Sequence, residues 1–193
     1  MKFYAVNTLG DFGNEDLCLL REFVDGIGMH AWKVSKGESL RSVYPADAKI
    51  FMTPDSPGIK LCSLIGNTDS MLVAAPELRA TIEKHRQSDV EYLPFTLYDH
   101  RKRVHSRDYV IINPLGTFDC LDFKASQIIW DDEDPDEIIR INKRVLSREK
   151  VEQAPALFRI DRDSSNYVVN EALAAELHER KFSNVTLVEL PVR

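Results

Sequence analysis

The chain has 193 residues, 44% hydrophobic and 29% charged, which argues against disorder and allows one sizeable core or two small ones. Its net charge of −6 argues against general nucleic-acid binding through phosphate neutralisation. Cys18, Cys62 and Cys120 lie far apart without a CxxC pair, no run reaches membrane-span length, and the N-terminus lacks a signal-length apolar stretch; the expectation is a cytoplasmic protein with no membrane partner.

In chain order, residues 3–6 read as a short strand, closed by the turn-prone residues 7–14. Over 15–24, Leu17, Leu20 and Val24 recur at i, i+3 and i+7, which permits a helix, while Cys18, Leu19 and Phe23 blur the stripe and permit a strand. Residues 31–34 and 49–52 read as strands, the second stopping at Pro54 before the Pro57-Gly58 loop. After the apolar run 71–74, Pro76 suits the first turn of a helix, where its missing N–H costs nothing. Leu78 and Ile82 then share that helix's inner face. Strands are expected over 90–97 and 109–112, either side of the basic loop His100-Arg101-Lys102-Arg103.

The stretch from Asn113 to Asp122 reads as the joint between two related halves of one domain, about 1–112 and 113–193. Beyond it, residues 128–130 and 138–141 flank a polar run containing Pro135, the pattern of an antiparallel hairpin. Residues 157–160 form the next strand, 161–166 turn, and 167–169 extend. Asn170 caps a helix through about residue 181, with Leu173 and Leu177 as its apolar stripe, and 185–190 close the chain as a strand. Shifted by 95 positions, Leu72, Val73, Leu78, Ile82, Val90, Tyr92 and Phe95 fall on Tyr167, Val168, Leu173, Leu177, Val185, Leu187 and Leu190. Ile50-Phe51 pairs with Leu157-Phe158 once a longer loop is allowed. The fold class is α+β, mainly antiparallel sheet, with two similar strand-strand-helix-strand units.

Chemistry is sparse. His178-Glu179 begins like a zinc helix, but position 182 is Phe182. Asp161-Arg162-Asp163 begins like a calcium loop, but its sixth position is Asn166 and its twelfth Ala172, so the bidentate ligand is missing. No phosphate loop, nucleophile elbow or cysteine–histidine signature occurs, so no cofactor, metal or catalytic residue is assigned. Arg101, Lys102, Arg103 and Arg107 read as a solvated hairpin tip. The acidic run packs Asp131, Asp132, Glu133, Asp134, Asp136 and Glu137 into seven positions, a repulsion relieved by solvent or by a cationic partner. With Trp130 as an aromatic anchor at its base, these are the candidate partner-binding residues.

Asn113-Pro114-Leu115, followed by Asp119-Cys120-Leu121-Asp122 and Ser126, resembles the NPL…DCLD…S signature of a bacterial immunity-protein family with a myxobacterial prototype, first described as a domain of unknown function. Pro57-Gly58, Leu72-Val73, residues 90–94, Leu157-Phe158-Arg159 and residues 168–173 extend the likeness over roughly 45–192. The resemblance implies a protein that binds and neutralises a cognate toxin delivered between bacterial cells, without catalysis. A nuclease toxin, with its basic cleft, suits the acidic run. Two rivals remain open: a small-molecule enzyme with a site between the halves using Asp119 and Asp122, and an adaptor for some other protein. The oligomeric state is not legible.

Overall fold

Among the residues described by the computed structural model, all but Asp136, fourteen short strands and three helices make an α+β fold in which sheet predominates. The first part of the chain forms β1 (Phe3–Val6), β2 (Leu19–Leu20), α1 (Trp32–Lys36), β3 (Lys49–Phe51), β4 (Leu64–Asn67), β5 (Leu72–Ala74) and α2 (Pro76–Lys84). Then come β6 (Val90–Pro94), β7 (Thr96–Tyr98), β8 (Val104–Ser106), β9 (Val110–Pro114), β10 (Gln127–Trp130) and β11 (Ile138–Lys143). The chain ends with β12 (Leu157–Ile160), β13 (Asp163–Asn170), α3 (Glu171–Glu179) and β14 (Leu187–Leu190).

Three sheets carry the body: β2-β4-β5-β9-β6, β12-β13-β1-β14 and β3-β7-β8. Among the described residues β10 and β11 pair only with each other. Ladders are antiparallel except β2 with β4 and β3 with β7. α2 begins at Pro76, and α3 is capped by Asn170, whose Oδ1 accepts the Leu173 N–H at 3.0 Å. Leu78 and Ile82 of α2 meet Leu173 and Leu177 of α3 in one core with Leu72, Ile112, Tyr167 and Val169. At its rim, Glu176 accepts from Lys84 Nζ at 3.0 Å and bonds His85 Nε2 at 2.7 Å.

The two larger sheets share one pairing scheme. β9 sets Ile112 between Leu72 and Tyr92, and Ile111 between Val73 and Leu93. β1 sets Val6 between Tyr167 and Leu187, and Ala5 between Val168 and Val188. The outer strands correspond at the shift of 95 that the sequence suggests, and α2 and α3 correspond at the same shift. The central strands differ in origin: β9 follows its helix, whereas β1 comes from the start of the chain.

Several local readings are corrected. Residues 31–34 form no strand: Ala31 caps α1 and 32–34 lie within it, and α1 stops where Gly37, at φ 69°, turns its N–H back to Lys33 and Val34. Only Leu19 and Leu20 of 15–24 form a strand, since Asn14 to Leu17 closes a turn. Residues 90–97 split at buried Phe95, because Pro94 has no N–H to continue the ladder. β9 runs on through Asn113 and Pro114, which places the bend at Gly116, φ 75°. The turn within 161–166 is only Asp161-Arg162, and Asp163 already opens β13. The counterpart of Leu157 is Leu64, not Ile50: Leu64 pairs with Ala74 as Leu157 pairs with Val169, while Ile50 lies in the three-stranded sheet.

Leu121 sits in a third core with Phe3, Phe158, Val168 and Leu190. Leu121→Ala should therefore destabilise the fold by about 2–5 kcal/mol, measured by denaturant unfolding; an unchanged midpoint would mean the site refills without loss.

Candidate functional site

The β10–β11 ribbon grows from a root made by the signature residues. Cys120 and Leu121 are buried, and Leu121 bridges Leu146. Asp122 Oδ1 accepts the N–H groups of Lys124 and Ala125, both at 3.0 Å, and so holds the turn that leads into β10. Ser126 Oγ accepts the Val145 N–H at 3.0 Å and donates to the Val145 carbonyl at 3.2 Å. On the other side of Leu146 the chain terminus adds a strand-like contact, with Leu146 N–H on the Pro191 carbonyl at 2.8 Å. Asp119 reaches outward to Lys150 at 2.7 Å. Asp119 and Asp122 are thus occupied by an ion pair and by a turn.

From that root the ribbon runs outward, with Ile141 against the core below Leu121. Trp130 is half-buried, its ring edge-on to Phe123 at 5.9 Å, and Lys150 and Arg162 lie over the Phe123 ring at 5.1 and 5.5 Å. The aromatic anchor is therefore built into the ribbon base and is only partly presented to solvent. At the tip, Asp131 Oδ1 accepts the N–H groups of Glu133 at 2.7 Å and Asp134 at 2.9 Å. Those amides, Asp134's foremost, hold the Asp131 carboxyl below its ordinary value. Asp132, Glu133, Asp134 and Glu137 are exposed. Asp136, also a candidate, lies outside the described residues.

Sequence reading missed a buried polar chain behind the signature. Arg159 is fully buried, and its Nε donates to the Pro114 carbonyl at 3.2 Å, Nη1 to the Ser164 carbonyl at 2.8 Å, and Nη2 to Asn113 Oδ1 at 3.2 Å and Tyr167 OH at 2.6 Å. Asn113 Nδ2 continues the chain to Glu91 Oε2 at 3.2 Å and to the Glu38 carbonyl at 2.9 Å. Glu91 also accepts from Ser39 Oγ and from the Leu40 N–H at 3.0 Å. Burial pushes the Glu91 carboxyl up, but the bonds from Ser39, Leu40 and Asn113 and the Arg41 charge outweigh it and hold it below its ordinary value. Nothing in the local pattern signals this, because the partners lie 22 and 46 positions apart.

A cleft of about 240 Å³ opens elsewhere, between loops that carry Asp11, Phe12, Glu15, Arg21, Asp55 and Ser56. Cys18 also lines it, but burial pushes its thiol up to about 12, which removes it as a nucleophile at neutral pH. Burial likewise raises Cys120 to about 12. Among the described residues no three His, Cys, Asp or Glu side chains are grouped to hold a metal ion. No described helix is long and apolar enough to cross a membrane.

Residues 44–190, roughly three-quarters of the chain, match a family described as Immunity protein family (Imm11). No curated protein matches the chain.

Asn113→Ala leaves Glu91 without one of its donors and Arg159 without one of its acceptors, at a cost of about 1–3 kcal/mol. Glu91's folded pKa is depressed, so its contribution is present above its unfolded pKa and is lost as pH falls through the folded value. Losing Asn113 raises the folded value, and acid unfolding should begin at a higher pH. Acid titration of both proteins by circular dichroism checks this; coincident curves would contradict it.

Proposed function

The chain belongs to the immunity protein family Imm11, and on that footing we propose that it neutralises a cognate toxin by stoichiometric protein–protein binding, without catalysis. Immunity against a toxin is the family's role. The finer reading, that the ribbon tip is part of the contact, is supported by one observation above the others: exposed carboxylates crowd the end of a ribbon whose root is fixed in the core. A negative projection raises the encounter rate with a basic surface, and a fixed root reduces the ordering entropy of binding. A nuclease toxin, whose cleft must hold phosphate, has such a surface.

The enzyme reading loses support because Asp119 is engaged by Lys150 and Asp122 by backbone amides, and neither meets a candidate base. No observation favours an adaptor role over immunity.

The test uses a candidate cognate toxin domain, sought in the gene neighbouring this one and purified with this chain and alone. Asp131, Asp132 and Asp134 changed together to Asn should slow association and flatten its salt dependence, while melting temperature stays put. Asn at 131 keeps the Oδ1 acceptor that shapes the tip, so folding is not the variable. Equal rates at low and high salt for both proteins would remove the tip from the contact. Failure of the wild type to bind the toxin at all would overturn the binding mechanism itself.

A further inference from the structure

The cleft beside Cys18 has no part in the ribbon, and its lining is of a different kind. Leu17, Cys18 and Leu19 make it apolar, and Phe12, which also lines it, is 59% exposed. Its walls are held in place. A Cβ at Gly58 would stand 2.2 Å from the Leu17 carbonyl oxygen, and one at Gly66 2.2 Å from the Leu9 carbonyl oxygen, so the lining loops lie directly on backbone. The Asp11 N–H also donates to Asn184 Oδ1 at 2.7 Å. At about 240 Å³ the space falls below the roughly 300–1,000 Å³ of a small-molecule site, and it suits a single long side chain.

Charge selects what enters. Asp11, Glu15 and Asp55 line the cleft, and Asp16 joins Asp11 and Glu15 in the open depression beside it. All four are exposed, and none has an ion-pair or hydrogen-bond partner for its carboxylate among the described residues. Arg21 is the one cation of the lining, and its Nε is engaged by Ser56 Oγ at 2.5 Å. An apolar slot with carboxylates around it matches a basic side chain. The aliphatic stem packs against Phe12 and Leu17, while the charged head meets carboxylates and the ring face.

The surroundings favour a protein as the source of that side chain. A free small cation would fill the slot and leave the acidity over residues 11–16 uncovered, whereas a basic protein surface covers both. A broad hollow also adjoins the cleft at Leu9 and runs past Asn67 and Val188 to Arg144, the residue that follows β11. Cleft, hollow and ribbon root therefore border one another in series. We propose that the cleft receives an arginine or lysine side chain of the toxin, as a second anchor in addition to the ribbon tip. This anchor rests on the toxin-binding reading, but the chemistry of the cleft is measured without the toxin.

NMR titration with Nα-acetyl-arginine amide reads the cleft itself, with Nα-acetyl-norleucine amide as the uncharged stem. The arginine amide should give saturable shifts at Phe12, Cys18 and Leu19, and the norleucine amide should not. Phe12→Ala, and Glu15→Gln combined with Asp55→Asn, should each weaken its binding at least about threefold with the melting temperature unchanged. Against the candidate toxin domain the same variants should weaken capture about tenfold. Absence of a saturable shift, equal binding of the norleucine amide, or variants that bind as the wild type does would overturn the proposal. A toxin captured equally by wild type and variants would remove the cleft from the contact and leave neutralisation by binding intact. Uptake of the arginine amide by a protein that captures no toxin would sink the toxin-binding reading, and this anchor with it, and assign the cleft to a free cation.

Discussion

The interaction on which the rest depends is the buried link from Arg159 through Asn113 to Glu91. A guanidinium without solvent is costly unless its donors find acceptors, and leaving a buried polar group unpaired costs about 1–3 kcal/mol. Arg159 has no carboxylate in direct contact. It is held by two carbonyls, an amide oxygen, a phenol, and the face of the Tyr167 ring at 4.1 Å. Among the described residues Asn113 is the one side chain bonded to both charges; Arg159 can only donate and the Glu91 carboxylate only accept. An aspartate could serve Arg159 but would repel Glu91, whereas the amide accepts from the one and donates to the other.

That link ties together parts of the chain that no single sheet joins. Glu91 lies on β6, Asn113 on β9, Arg159 on β12 and Tyr167 on β13, so the two larger sheets share one polar interior. Ser39 and Leu40 bring in the loop after α1, and Gly37 fits there only because it lacks a side chain. A Cβ at Gly37 would stand 2.7 Å from the Gly116 carbonyl and 3.0 Å from Arg159 Cδ. Tyr167 carries the link on to the Ser70 carbonyl at 2.9 Å, at the turn that starts β5. The apolar counterpart is the α2–α3 core, where the equivalent helices of the two units bury each other's stripes. Sheets with a common register and opposed helices can share a core in this way with neither helix left facing water on its apolar side.

Elements governed by neighbouring residues were legible in the sequence. Pro76 and Asn170 mark helix starts because their effects act within one turn, and a polar run with Pro135 between two strand-like segments marks a hairpin. The 95-residue echo was visible because both helices bury residues at the same spacing. What was not legible depends on distant partners. Trp32 and Val34 look strand-like until Gly37 closes a helical turn, and Ile50 resembles Leu157 in composition but not in its pairing. Asn113 and Pro114 read as the beginning of a bend, yet Glu91 and Val90 stand opposite them and hold them in a ladder. Arg159, between Phe158 and Ile160, carries no local sign of its partners, and only the folded chain brings it a phenol and an amide. The acidic candidates could be named from sequence; the half-buried state of Trp130 could not, since it depends on Phe123 folding back across the turn that Asp122 holds.

The signature residues acquire a physical role in this arrangement that is distinct from binding. Asn113 fixes the two sheets, Cys120 and Leu121 fill the core beneath the ribbon, and Asp122 and Ser126 close the hydrogen bonds at its base. None needs to meet a partner. Beyond Ser126 these constraints weaken: the ribbon has few buried side chains, no neighbouring sheet and an acidic end surrounded by water. A change at the tip therefore alters the field a partner meets while removing almost no buried contact, whereas a change at the root alters the platform itself. This separation leaves the exposed end free to change in charge while the root keeps its direction.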